Sequence, residues 1–93
     1  MRPKLAEWMT PADRDILELL QNEGADRELV LTPGLIAENT DWSRSTVRTH
    51  LMELRDRDFV AYDDEDRSIH RLTDRGRAYL AGDLDPDELE SAD

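Results

Sequence analysis

The residues best suited to chemistry lie in one stretch, 41–59, of a chain of 93 residues. From Trp42 to Met52 this stretch contains no Asp or Glu, although acids outnumber bases 23 to 12 over the whole chain. Guanidinium and hydroxyl groups supply most of its polarity, and both can hydrogen-bond to phosphates and to base edges. The segment 41–59 is therefore the candidate binding segment.

Apolar spacing predicts that this segment is an amphipathic helix. Val47, Leu51 and Leu54 recur at i, i+4 and i+7 and share one face. Ser43 is a suitable N-cap residue. The major groove of B-DNA admits one helix, and the face of this helix opposite the apolar residues would then contact the DNA. The candidate DNA-binding residues of the helix are Arg44, Ser45, Thr46, Arg48, Thr49 and Met52. A polar face that only meets solvent is the alternative.

Around this helix the sequence predicts three further helices, and each has a Thr as its N-cap residue where the candidate binding helix has Ser43. The four predicted N-cap residues are Thr10, Thr32, Ser43 and Thr73, and the helices run to about residues 22, 39, 57 and 81. Gly24 is expected to end the first helix, and Gly82 the last. The first two helices should bury Ala12, Ile16, Leu19, Leu20, Leu35, Ile36 and Ala37.

Three strands complete the prediction. A short strand is expected at 28–31, and a hairpin at 59–62 and 68–72 with the acidic tip 63–66. The order helix, strand, helix, helix, hairpin, helix is that of a winged helix-turn-helix. We therefore expect an α+β, mostly helical fold with a two-stranded wing and a short extra N-terminal strand. Residues 1–9 would form an arm, 10–82 the domain, and 83–93 a tail with one helical turn.

Composition bounds the class of protein. The chain has no Cys, no apolar run long enough to span a membrane and no signal peptide, so a cytoplasmic protein is expected. The net charge of −11, with many Asp and a single Lys, resembles the bias of proteins from salt-loving archaea. Molar salt shortens the Debye length to about 3 Å, so the average charge says little about partners there. A dedicated acidic interaction protein is the alternative.

The chain also resembles a known family, the phage-repressor-like winged-helix proteins of halophilic archaea. The matching residues are Met9–Glu18, Leu35–Glu38, Ser43–Leu51, Arg71–Leu80 and Gly82–Asp85. The resemblance implies a DNA-binding transcriptional regulator with residues 44–57 as recognition helix. Two departures stand out: Asp58 replaces the left-handed glycine usual after that helix, and the wing tip 63–66 is wholly acidic where glycine and basic residues are usual.

Arginines on the hairpin form a second candidate contact. Strand alternation places Arg67 and Arg71 on one side, where they could reach the minor groove or flanking phosphates. Arg75 and Arg77 follow on the last helix as weaker candidates. Equally, these arginines could pair with the plentiful carboxylates of the chain.

Apolar residues at the two ends suggest a second surface. Residues that lack an obvious partner in the domain could form a homodimer interface: Leu5, Trp8, Met9, Leu84 and Leu89. Packing of the arm on its own domain is the alternative. Trp42 is expected to pack against the second helix rather than to bind a ligand.

The sequence gives no support for an enzyme. His50 and His70 are the only histidines, there is no Cys, and 63–66 lacks the pattern of a calcium loop, so no metal or cofactor is expected. Two functional hypotheses remain. One is a homodimeric repressor that binds double-stranded DNA; the other is an acidic winged-helix module that binds protein and not DNA.

Overall fold

The computed structural model describes residues 4–84. It contains four helices and one two-stranded antiparallel sheet in the order predicted for a winged helix. The elements are α1 (Pro11–Gln21), α2 (Pro33–Glu38), α3 (Arg44–Asp56), β1 (Val60–Asp64), β2 (Ile69–Leu72) and α4 (Asp74–Ala81).

All four helices start where the capping signals predict. The hydroxyls of Thr32 and Thr73 accept hydrogen bonds from the backbone N–H groups of Leu35 (3.2 Å) and Gly76 (3.1 Å). At α1 the carboxylate of Asp13 reaches back to the Thr10 N–H at 2.8 Å. These bonds satisfy N–H groups that have no partner within the helix.

Left-handed residues end α1 and α4, and another follows α3. Gly82 ends α4 with φ +79°, as predicted. The prediction of Gly24 as the end of α1 is wrong, because Asn22 takes the left-handed position at φ +53° two residues earlier. Asn tolerates this conformation better than most residues. Asp58 lies in the left-handed region after α3, at φ +66°.

The wing is the hairpin of β1 and β2. Val60 pairs with Leu72 and Tyr62 with His70, and the register shifts between Tyr62 and Asp64. The turn itself covers 65–68, so half of the predicted tip belongs to β1. The Asp64 carboxylate accepts from the backbone N–H of Arg67 at 3.3 Å, which closes the turn.

The extra strand predicted at 28–31 does not form. Only Leu31 meets the sheet, through an isolated antiparallel bridge with His70. Leu29 is tied instead to the end of α1, where its N–H donates to the Leu20 carbonyl at 2.8 Å. Pro33 then begins α2 two residues after Leu31, so the segment has no length left for a ladder.

The core lies between α1, α3, α4 and the sheet. Its fully buried members include Ile16, Leu17, Leu20, Ile36, Val47, Leu51, Leu54, Phe59, Leu72 and Tyr79. The prediction that Leu35 is buried is wrong, since it is 45% exposed. With only six residues, α2 turns one side to the core. Ile36 occupies that side, and Leu35 points about 100° away from it.

The N-terminal arm packs on its own domain. Ala6 and Met9 are buried in the core, and the Tyr79 hydroxyl donates to the Lys4 carbonyl at 3.0 Å. The Trp8 ring lies 5.5 Å from that of Phe59. Leu5 and Leu84 are half-buried against the same core. The helical turn expected at 85–89, with Leu89, lies outside the described residues.

Candidate nucleic-acid interface

Helix α3 presents two faces, as the spacing predicts. The side chain of Ser43 accepts from the Thr46 N–H at 3.1 Å and so fixes the start of the helix. Val47, Leu51 and Leu54 are fully buried. Because these three residues anchor one face in the core, the opposite face must project from the domain.

The exposed face carries the residues proposed from the sequence. Arg44, Ser45, Arg48, Thr49 and Met52 are all exposed. Met52 is 56% exposed, which is unusual for so apolar a side chain. Thr46 differs: it is half-buried, and its hydroxyl accepts from that of Ser43 at 3.0 Å. Its side chain therefore belongs partly to the cap.

Charge on this face is uncompensated. Within residues 4–84 neither Arg44 nor Arg48 forms an ion pair with a carboxylate. Arginines elsewhere do form such pairs, since Arg57 binds Glu53 and Arg77 binds Glu28, both at 2.6 Å. The exposed face of α3 therefore keeps its positive charge in a strongly acidic chain.

The wing carries its arginines apart from that face. Arg71 is exposed on β2, opposite Ala61. The Arg67 side chain is 74% exposed and its guanidinium lies 3.9 Å from the Asp64 carboxylate. Arg48 and Met52 border a groove between α3 and the wing, and neither wing arginine lines it.

Arg77 on α4 is committed to carboxylates. Its guanidinium binds Glu28 at 2.6 Å and Asp74 at 2.7 Å. The hydrogen bond to Glu28 is the main reason that the pKa of Arg77 is raised, so this side chain stays charged. Of the two roles considered for Arg77, DNA contact and pairing with carboxylates, the structure shows the pairing.

Two polar contacts that sequence reasoning missed hold α1 against the helix-turn-helix. His50 Nδ1 lies 2.9 Å from the buried Asp13 carboxylate. Trp42, expected to meet the second helix, donates from its indole N–H to Asp15 on α1 at 2.9 Å. Both contacts fix the position of α3. They join residues 37 and 27 positions apart, so no local pattern in the sequence reveals them.

Neither a metal site nor a membrane span is found in the part of the chain that the structure describes. Residues 4–84 contain no group of three or more His, Cys, Asp or Glu arranged to hold a metal ion. None of the helices within this range is both long and apolar enough to cross a bilayer.

A helix-turn-helix followed by a two-stranded wing defines the class of winged helix-turn-helix proteins. Comparison with known proteins places the chain within that class. The model of the winged helix-turn-helix phage repressor family matches residues 1–92, and the chain belongs to this family. The family is one of DNA-binding regulators.

Two relatives support this assignment. The chain is 44% identical to a repressor protein of Halobacterium phage phiH, over 92% of this chain and 94% of the phage protein. It also resembles the crystal structure of the PhiH1 repressor-like protein from Haloarcula marismortui, with a TM-score of 0.70 and 31% identity. That similarity covers 92% of this chain and 91% of the other. Both relatives come from halophilic archaea or their viruses, which agrees with the acidic composition.

Proposed function

We propose that the chain is a sequence-specific transcriptional repressor that reads the major groove with α3 and acts as a homodimer. The observation that carries the proposal is the exposed face of α3 over residues 44–52, which contains no acid and whose Arg44 and Arg48 pair with no carboxylate of residues 4–84. Repression would follow from occupation of a promoter site.

Roles within the face follow from position. Ser45, Arg48 and Thr49 lie on the outermost part of the first two turns, where short polar groups and a guanidinium reach base edges. Arg44 and Thr46 flank them at the N-terminus of the helix, where phosphates are favoured. Arg71 on β2 and Arg67, which lies in the turn of the wing, would contact the flanking DNA backbone, while the carboxylates of 63–66 stay clear of it.

The homodimer is proposed on geometric grounds. Two recognition helices would meet half-sites about 34 Å apart, roughly one turn of DNA. The arm and tail offer Leu5, Trp8 and Leu84, which are only half-buried on their own domain. Met9, also predicted for this interface, is buried in the core of its own domain and would not contact a second chain directly. Light scattering in molar salt tests this interface. Leu5→Glu and Leu84→Glu should each lose the dimer, and an unchanged dimer mass would contradict the proposal.

The DNA assignment is tested by selecting bound duplexes from genomic fragments in molar potassium chloride. We expect one enriched site with two related halves. On that site Arg48→Ala should weaken binding by about 1–3 kcal/mol and relax the preference at one position of each half.

Arg27→Ala is the matched control, because Arg27 is exposed in the loop after α1 and outside this face. Its affinity for the selected site should match that of the wild type. If no duplex is enriched, or if both variants bind as the wild type does, α3 is not the recognition helix.

A further inference from the structure

A groove of about 300 Å³ lies between α3, the wing and the start of α2. Two arginines, Arg48 and Arg55, line it together with Pro33, Leu51, Met52, Tyr62, Ser68 and His70. Within residues 4–84 no carboxylate is among the lining residues. A groove beside α1 is quite different, since Asp15, Glu18, Glu38 and Asp41 line it.

Arg55 is held in place by uncharged groups. Its Nη1 lies 2.8 Å from His70 Nε2, and its guanidinium carbon lies 4.6 Å from the centre of the Tyr62 ring. Within residues 4–84 it forms no ion pair with a carboxylate. Its orientation is therefore fixed while its charge is left uncompensated, which is costly near a protein interior unless an anion approaches.

His70 is a neutral acceptor in this arrangement. Arginine can only donate, so Nε2 accepts and the proton lies on Nδ1. That N–H then donates to the Ser68 carbonyl at 2.9 Å. Burial lowers the pKa of His70, the Ser68 carbonyl partly opposes this, and the charge of Arg55 lowers it further. The neutral ring is thus the form that holds Arg55.

The position of the groove beside the proposed DNA-binding face indicates which anion would bind there. Arg48 belongs both to the groove and to the exposed face of α3, and Met52 lies beside it at 56% exposure. A duplex seated on that face would bring one strand backbone along the groove between helix and wing. Sugar carbons would then meet Met52 and a phosphate would meet the guanidiniums.

We propose that this groove is a phosphate site, in which Arg55, positioned by His70, binds a phosphodiester of the DNA strand that α3 reads. The inference rests on the proposed function and adds a contact that the exposed face alone does not contain. Because a phosphate carries no base identity, Arg55 would raise the affinity for every duplex and leave the sequence preference to Arg48 and its neighbours.

The salt dependence of binding tests the site. Each phosphate contact contributes about −0.9 to the slope of log affinity against log salt. Arg55→Gln should therefore flatten the slope by about 0.9, equally on the selected site and on unrelated duplex. Arg27→Gln removes the same charge outside the groove and should keep the wild-type slope. Arg55→Lys keeps a charge and should retain most of the slope, which separates loss of contact from loss of fold.

The role of His70 needs a separate pair of variants. His70→Gln preserves an acceptor for Arg55 and should preserve the slope. His70→Leu removes the acceptor and should flatten the slope as Arg55→Gln does. Equal slopes in these two His70 variants would overturn the positioning role.

The outcomes distinguish this inference from the proposed function. A wild type that binds duplex while Arg55→Gln keeps the full slope overturns the phosphate site and leaves the DNA assignment intact. A wild type that binds no duplex overturns the proposed function and the inference with it. Side-chain N–H signals of Arg55 that shift saturably with inorganic phosphate, and not with duplex, would assign the groove to a free anion and overturn the DNA contact.

Discussion

Gly76 on α4 gives the sharpest stability prediction, because the structure leaves no room for a side chain there. A Cβ at this position would overlap the carbonyl oxygen of Phe59 and lie 3.0 Å from Leu72 Cδ2. The Phe59 carbonyl also accepts from the Thr73 N–H at 3.2 Å. Since the obstacle is backbone, Gly76→Ala must displace the connection between α3 and β1.

The cost can be worked from these contacts. Overpacking of this kind costs about 1–3 kcal/mol, and strain on the Thr73 hydrogen bond adds about 0.5–1.5 kcal/mol. Ala is favoured over Gly in a helix by about 1 kcal/mol, which offsets part of this. We expect Gly76→Ala to lower the free energy of unfolding by about 0.5–3.5 kcal/mol, a fall in Tm of about 2–28 °C.

Gly34→Ala is the matched control. A Cβ at Gly34 meets only side-chain atoms at 3.8–4.0 Å, an ordinary contact. This variant should be as stable as the wild type or up to about 1 kcal/mol more stable. Thermal and denaturant unfolding followed by circular dichroism in molar salt measure both. If Gly76→Ala is as stable as Gly34→Ala, the packing of α4 against the wing is wrong as described.

Three further predictions concern stability. Asp58→Gly should raise the free energy of unfolding by about 0.5–1 kcal/mol, because glycine removes the left-handed strain at φ +66°; an unchanged denaturation midpoint would contradict this. The folded pKa of His70 lies below its ordinary value of 6.5, so below pH 6.5 the unfolded chain binds the proton more readily and stability should fall as pH falls. Above pH 6.5 this contribution is constant. In parallel pH titrations of stability, His70→Gln should lose less of its free energy of unfolding on acidification than the wild type does. Finally, the net charge of −11 predicts that Tm rises with potassium chloride as salt screens repulsion between carboxylates; a Tm that is flat in salt would contradict it.

Most of the fold could be predicted because its signals are local. Thr32 and Thr73 cap their helices through hydrogen bonds to residues three positions on. The spacing of Val47, Leu51 and Leu54 likewise decides which face of α3 is buried. Residues that interact within one helical turn lie only three or four positions apart in the sequence. The start of each helix and the exposed face of α3 could therefore be predicted.

The errors arise where tertiary packing overrides the local pattern. The 28–31 segment has the apolar composition of a strand, yet its Leu29 is taken by the end of α1. Leu35 is apolar, yet Ile36 occupies the one side that the short α2 turns to the core. In the first case the Leu20 carbonyl, nine positions away, decides the outcome, and in the second the packing of α2 on the core does so.

The supports of the candidate site were the least predictable part. His50 and His70 are isolated in the sequence, and each acquires its role from a partner on another element, Asp13 or Arg55. The composition of the face indicated a binding surface, but the acid-free groove beside it depends on how α3 and the wing meet.

The most direct test of the central claim is a footprint of the wild-type protein on its selected duplex in molar potassium chloride. We expect two protected half-sites about 34 Å apart, with protection that needs about 5- to 150-fold more protein in Arg48→Ala and the wild-type amount in Arg27→Ala. Protection that survives Arg48→Ala unchanged, or the absence of any protected site, would contradict it.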